Sequence, residues 1–110
     1  MEIRERMTGD ALILDMRGRF EFHTTPHFLA TLDRVENSGC QKLILNLREV
    51  PYLDSAALGL LHFAHQKLMR LRGHISILNP QPHIQRLLES ANIPSIIPIH
   101  TVEEQALLVG

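Results

Sequence analysis

Asp54 and Ser55 are the neighbouring residues of this 110-residue sequence that are most suggestive of a functional site. They follow an apolar run at 42–47 and a short loop, and they precede a stretch with helical spacing. The first turn of a helix presents unpaired N–H groups and a partial positive charge, which favour an anion. Ser55 could therefore carry a phosphate group at a helix start. From the spacing alone, the simpler interpretation that Ser55 serves only as the N-cap of that helix is favoured.

Histidines are the second group of residues that could do chemistry, since the sequence contains seven. Two pairs have spacings that can place both imidazoles on one helix face, His23 with His27 and His62 with His65. Neither pair has a carboxylate in register, and a zinc site normally needs three or four protein ligands. Cys40 is the only cysteine, which excludes an internal disulfide and a cysteine-based zinc site. We therefore expect no metal and no cofactor.

Common catalytic and nucleotide-binding motifs are missing from the sequence. It contains no Gly-x-Ser-x-Gly elbow, no Gly-x-x-x-x-Gly-Lys loop and no Gly-x-Gly-x-x-Gly stretch. Asp54 lies beside Ser55 in the chain, and adjacent residues rarely converge for proton transfer. We therefore expect that the protein is not an enzyme and that Ser55 is a substrate of modification rather than a catalyst.

Composition narrows the class of protein further. Apolar residues at 45%, charged residues at 21% and a net charge of −1 are typical of one globular domain, here residues 1–110. The near-neutral charge and the absence of tryptophan argue against nucleic-acid binding. No apolar run reaches the ~20 residues of a membrane span, and the first residues lack the apolar core of a signal peptide. We expect a cytoplasmic protein with no nucleic-acid partner and no membrane insertion.

The hydrophobic pattern predicts alternating strands and helices. The predicted elements are a hairpin turning at 8–10, a helix from 24 or 25 to 39, a buried strand at 42–47, a helix from 55 to 73, a strand at 75–77, a helix over 84–91, an edge strand at 96–99 and a last helix ending near Val109. This order implies a mixed α/β sheet with parallel pairs and right-handed crossovers. Leu45 and Leu61 are expected deep in its core.

The stretch from Leu45 to Leu61 resembles the STAS domains of bacterial anti-sigma factor antagonists, in which an Asp-Ser pair separates a buried strand from a helix. The likeness runs along nearly the whole chain, through the loop at 18–24, the turn at 79–80 and the terminal stretch at 103–107. It implies a single STAS-like α/β domain that has a mixed β-sheet, an N-terminal hairpin and about four helices.

The resemblance also implies a partner-switching regulator. In that family the unmodified serine form binds an anti-sigma factor that is a serine kinase, and phosphorylation of the serine abolishes binding. A PP2C-type phosphatase is the implied second partner. Carried over by motif position, the phosphorylated residue is Ser55 and its acidic neighbour is Asp54.

The partner-binding surface is predicted from the two loops and the start of the helix. Its residues are Glu21, His23, Thr24, Asp54, Ser55, Ala56, Ala57, Leu58, Leu60 and Phe63. Leu60 and Phe63 fall to one side of the apolar stripe of the helix, so we expect partial exposure and a place at the apolar centre of an interface.

Four positions depart from the family pattern. Ala56 stands where a second Ser or Thr is common, Ala57 replaces the usual Gly, Asn46 replaces a frequent Asp, and Glu21 replaces the usual Asp of the first loop. The methyl group at position 57 is expected to narrow the approach of a kinase to the loop. None of these changes removes the Ser55 hydroxyl.

Two alternative functions stay open at this point. The same fold could serve as a constitutive, non-phosphorylated STAS subunit of a scaffold or lipid-transport complex. A metal- or nucleotide-binding enzyme is the third class. Co-purification with intact-mass measurement separates the three, because they differ in a phosphate increment, a stoichiometric partner or a bound metal.

Overall fold

The computed structural model describes residues 1–108 and begins with the predicted hairpin. β1 (Glu2–Thr8) pairs antiparallel with β2 (Ala11–Arg17), and Gly9 in the turn between them has a φ of 62°, which glycine adopts without strain. β3 (Lys42–Glu49), β4 (His74–Leu78) and β5 (Ile99–His100) follow as parallel neighbours. The strand order across the sheet is β1-β2-β3-β4-β5, so the expected mixed sheet is confirmed.

Helices connect the parallel strands, as the pattern of the sequence predicts. They are α1 (Thr25–Asn37), α2 (Ser55–Arg70) and α3 (Pro82–Ser90), whereas α4 (Glu103–Leu108) follows the last strand. Short 3-10 turns precede α1 at Phe22–Thr24 and follow α3 at Ile93–Ser95. The predicted end of the last helix, near Val109, lies outside the described residues. No helix within residues 1–108 is long and apolar enough to cross a bilayer.

The main hydrophobic core lies between one face of the sheet and the first three helices. Leu45 and Leu61 are fully buried in it, as expected. The opposite face of the sheet carries a smaller cluster, in which Ala106 of α4 covers Ile13 and Ile44. β3 is therefore covered on both faces, which explains why its sequence is a nearly continuous apolar run.

Most predicted boundaries differ from the structure by one or two residues, and two differ by more. β5 covers only Ile99–His100 instead of 96–99, because the preceding residues form the 3-10 turn and Pro98 has no N–H for a ladder. α2 ends at Arg70 rather than at Gly73, since Arg72 adopts a left-handed conformation with a φ of 56°. Gly73 meets a different constraint, because a Cβ there would lie 2.6 Å from the carbonyl oxygen of Gln41.

Ion pairs hold helices in place on both sides of the sheet. The buried Lys67 of α2 directs its ammonium to Glu36 of α1, with an Nζ–Oε1 distance of 3.0 Å. On the other side, Arg6 of β1 bonds to Glu103 of α4 at 2.6 Å and to Asp15 of β2 at 3.1 Å. The Arg6 guanidinium holds the pKa of the Asp15 carboxyl below its ordinary value. These contacts fix α1 and α4 relative to α2 and the sheet.

The packing of α2 generates a stability prediction. Leu61→Ala should lower the free energy of unfolding by about 2–5 kcal/mol, because it removes buried methyl groups and leaves a cavity. Leu87→Ala on α3 is the matched control, since that leucine is 43% exposed and should cost under about 0.5 kcal/mol. Urea denaturation measures both values. Equal losses for the two variants would contradict the placement of Leu61.

Candidate functional site

The Asp54–Ser55 pair lies where two loops run side by side beyond the ends of β2 and β3. The backbone N–H of Phe20 donates to the carbonyl of Tyr52 at 3.0 Å, and the N–H of Asp54 donates to the carbonyl of Phe20 at 3.3 Å. Phe20 itself is fully buried, and its ring centroid lies 4.9 Å from that of Phe28. A buried aromatic side chain therefore anchors the pair of loops.

The carboxylate of Asp54 joins these loops to α2. Its Oδ1 accepts a hydrogen bond from the N–H of Ala57 at 2.9 Å, and its Oδ2 accepts one from the N–H of Phe22 at 3.0 Å. The first bond caps α2, and the second holds the 3-10 turn that precedes α1. Hydrogen bonds from Ala57 and then Phe22 lower the pKa of the Asp54 carboxyl below its ordinary value.

Ser55 is the first residue of α2 rather than its cap. The N-cap is Asp54, which has extended backbone angles and accepts the capping bond, so the prediction that Ser55 caps the helix is wrong. A carboxylate at this position also suits the positive end of the helix dipole. Ser55 is exposed. Its hydroxyl is thereby available at the positive end of a helix of 16 residues.

The first loop brings further predicted residues beside this helix start. The hydroxyl of Thr24 accepts from the N–H of Glu21 at 3.0 Å and donates to the carbonyl of the same residue at 2.8 Å. The Glu21 carboxylate accepts from Arg19 Nε at 2.9 Å, and the Arg19 guanidinium lies 3.9 Å from the ring centroid of Tyr52. His23 is exposed in the 3-10 turn. The bond from Phe22 to Asp54 connects this loop with α2.

Two residues of the predicted surface are in the core instead. Ala57 is fully buried and Leu60 is 8% exposed, because this face of α2 packs on the sheet. The prediction that Leu60 is partly exposed at an interface is therefore wrong. The expected narrowing by the Ala57 methyl group is also wrong, since that methyl group points inward. Phe63 is 37% exposed, in agreement with the prediction, while Ala56 and Leu58 are half-buried.

Sequence reasoning missed two exposed aromatic side chains on the pair of loops that leads to α2. Phe22 is 69% exposed and Tyr52 is 39% exposed. Alternation from the buried Phe20 would place Phe22 on the same side, but the 3-10 turn that begins there directs it outward. An aromatic residue within a polar loop was the available signal, although the sequence alone does not show which of two nearby phenylalanines is buried.

The histidine pairs are not joined into a cluster of ligands. His23 lies in the 3-10 turn and His27 in α1, where its Nδ1 is 3.2 Å from the carbonyl oxygen of Met1. His62 and His65 lie on α2. Across residues 1–108, no group of three or more His, Cys, Asp or Glu side chains is arranged to hold a metal ion.

Comparisons with known proteins agree on one family. The family model for the STAS domain matches residues 2–106. The anti-sigma F factor antagonist of Paenibacillus polymyxa is 25% identical over 97 residues, which cover 87% of this chain and 83% of that protein. The anti-sigma-B factor antagonist of Listeria monocytogenes is 28% identical, with coverage of 94% and 90%.

Solved structures share the fold at lower identity. An anti-sigma factor antagonist from Mycobacterium paratuberculosis superposes with a TM-score of 0.87 at 18% identity, covering 97% of this chain and 91% of that one. The unphosphorylated form of the anti-sigma factor antagonist SpoIIAA gives 0.81 at 19% identity, with coverage of 96% and 93%. The phosphorylated form of SpoIIAA, described as a Bacillus cell fate determinant, gives 0.74 at 19% identity, with coverage of 96% of each chain.

The two bonds accepted by Asp54 generate a second prediction, tested with Asp54→Asn. An asparagine Oδ1 can still cap α2, but its amide NH₂ cannot accept a bond from the N–H of Phe22. We expect a loss of about 0.5–1 kcal/mol in the free energy of unfolding at pH 7, measured by urea denaturation. Asp10→Asn, in the hairpin turn at the opposite end of the sheet, is the control.

Asp54→Asn should also remove the contribution of Asp54 to the pH dependence of the free energy of unfolding. The lowered pKa of Asp54 means that its ionised form stabilises the folded state. That contribution is fully present above the unfolded-state pKa of about 4 and is lost as the pH falls through the lower folded-state pKa. The stability difference between the native protein and Asp54→Asn should therefore be constant from about pH 5 to 7 and shrink below about pH 4. A difference that stays constant to about pH 2 would contradict this account.

Proposed function

This chain belongs to the STAS domain family, and from this premise we propose that it is an anti-sigma factor antagonist switched by phosphorylation of Ser55. In its unmodified form it binds an anti-sigma factor with serine-kinase activity, and a PP2C-type phosphatase restores that form. The protein acts in the cytoplasm as a binding module, with no catalytic group of its own. Its functional unit is the domain formed by residues 1–110.

One observation carries this proposal, namely the exposed Ser55 at the start of α2. The neighbouring Asp54 bonds this helix start to the turn before α1. Curated relatives that cover more than four-fifths of the chain are named as anti-sigma factor antagonists. SpoIIAA, which shares the fold, has been solved in an unphosphorylated and a phosphorylated form. These names support the proposal by analogy, and the position of Ser55 supports it physically.

The modification consists of a phosphoryl transfer to an exposed oxygen. The kinase moves the γ-phosphoryl group of ATP to Ser55 Oγ, and ADP and the hydroxyl proton leave. Water attack on the phosphoserine then returns the hydroxyl and releases inorganic phosphate. Each cycle adds and removes about −1.5 to −2 charges at this position.

The fold tolerates this charge better than a bound partner does. The free N–H groups and the dipole at the start of α2 favour an anion, whereas the neighbouring Asp54 carboxylate opposes it. A partner surface that fits a small neutral hydroxyl must instead bury an unpaired charge. Phosphorylation should therefore change affinity much more than stability.

Three exposed aromatic residues of the two loops and α2 supply the apolar part of the proposed partner surface. Phe22 lies on the loop that bonds to Asp54, Tyr52 lies three residues before Ser55, and Phe63 lies further along α2. Exposed aromatic side chains of this kind are enriched among the residues that dominate binding energy. Arg19, stacked on Tyr52 and paired with Glu21, adds an ordered cation at the same rim.

The switch is tested with Ser55→Asp and Ser55→Ala. We expect Ser55→Asp to weaken binding to the anti-sigma factor at least tenfold, about 1.4 kcal/mol, because it places a negative charge in the interface. Ser55→Ala should bind normally and resist phosphorylation. Because Asp54 caps the helix, Ser55→Ala should cost under about 0.5 kcal/mol of stability. Calorimetric titration and melting curves measure these effects.

The charge-matched control is Ser90→Asp, at the exposed last residue of α3. It should leave the affinity unchanged. If the native, Ser55→Asp and phosphorylated proteins bind with equal affinity, the switch is excluded. That result would favour a constitutive STAS subunit of a scaffold or lipid-transport complex.

The aromatic surface gives a separate prediction. Phe22→Ala should weaken binding to the anti-sigma factor at least tenfold, because it removes the most exposed aromatic side chain beside Ser55. Leu87→Ala removes an exposed apolar side chain on α3 and should leave affinity unchanged. Calorimetric titration compares the two variants. An unchanged affinity for Phe22→Ala would place the binding energy elsewhere.

A further inference from the structure

A cavity of about 190 Å³ opens at the end of α2 that lies away from Ser55, beside the first half of β4. Its apolar walls are formed by Leu68, Met69, Ile75, Ile96 and Pro98. The volume exceeds the ~150 Å³ of an apolar protein cavity that accepts benzene. An apolar group of about six carbons therefore fits.

The edge of β4 is open at this cavity. β5 pairs only with Ile77 and Leu78, and the N–H of Ile77 donates to the carbonyl of Pro98 at 2.9 Å. Alternate residues of a parallel strand direct their N–H groups to the same neighbour. The N–H of Ile75 thus points to the same side, where residues 1–108 supply no paired strand. It is a backbone donor at the wall of the cavity.

The polar residues around the cavity favour an anion. They are Lys42, His65, His74 and Ser76, and none of the described residues that line the cavity is acidic. Lys42 gives one hydrogen bond to the carbonyl of Leu107, and its ammonium keeps two further donors. His74 is exposed at the mouth, whereas Ser76 is only 6% exposed. Leu68 and Ile75 belong to the core on the α2 side of the sheet, whereas the strand register places Lys42, His74 and Ser76 on the α4 side. The cavity therefore spans the open edge of β4, with apolar side chains on one side of the sheet and donors and a positive charge on the other.

We propose that this cavity is a ligand site for a short aliphatic monocarboxylate of about six carbons. The alkyl chain lies against Leu68, Met69 and Ile75. The carboxylate meets Lys42, His74 and the open N–H of β4. The site is separate from the proposed switch, because ten residues of helix, about 15 Å, separate Ser55 from His65.

Amide NMR titration with hexanoate tests the proposal directly. We expect saturable shifts at Ile75 and its neighbours, with Ser55 unaffected, and a dissociation constant on the order of millimolar for so small a ligand. 1-Hexanol, which has the same chain and no charge, should bind at least tenfold more weakly. Butanoate should also bind more weakly, because it leaves part of the cavity empty.

A pair of exposed histidine variants tests the rim. His74→Glu places a carboxylate at the mouth and should weaken hexanoate binding at least tenfold, with little effect on 1-hexanol. His62→Glu makes the same change on an exposed residue of α2 outside the cavity lining and should have no effect. The absence of saturable shifts, equal binding of 1-hexanol, or equal losses in the two variants would each overturn the proposal.

Discussion

The carboxylate of Asp54 holds together the part of this molecule that carries Ser55. It accepts one bond from the start of α2 and one from the turn before α1, so a single side chain joins these two helical segments. Both bonds require an acceptor, which a carboxylate supplies with two oxygens. The role proposed for Ser55 depends on this constraint. The serine hydroxyl has a defined position on the surface because the preceding residue, Asp54, is held by both bonds.

Buried residues beneath the loops and between the helices support the position of Asp54. The side chain of Phe20 is buried in the core beneath the loops. Its backbone N–H and carbonyl bond to Tyr52 and Asp54 of the second loop. The buried ion pair between Lys67 and Glu36 ties α1 to α2 further along the helix. The proposed interface therefore rests on packed and hydrogen-bonded elements, an arrangement that limits the entropy lost when a partner binds.

The two ends of α2 present opposite chemical surroundings. At its start, a carboxylate and an exposed hydroxyl lie beside aromatic side chains, a combination suited to a partner that detects the charge on one oxygen. At its end, a cavity spans the open edge of β4, with apolar side chains on the α2 side of the sheet and a positive charge on the α4 side. The short β5 is the cause of that opening, since Pro98 and the turn at Ile93–Ser95 shorten the last strand.

The amino-acid pattern alone was enough to predict the order of elements, the buried strand β3 and the position of Leu45 and Leu61 in the core. These features follow from local hydrophobic periodicity, which depends only on neighbours in the chain. The same local signals placed Asp54 and Ser55 at a helix start. They also identified Phe63 as partly exposed.

The way in which those residues act together depends on the folded arrangement of distant segments. That arrangement made Asp54 the cap in place of Ser55, buried Ala57 and Leu60, and directed Phe22 outward beside the site. Among residues 1–108, it also left the first half of β4 with no neighbouring strand on the side of β5. Each outcome depends on contacts between segments far apart in the chain, such as the bond between Phe22 and Asp54, and periodicity carries no information about such pairs.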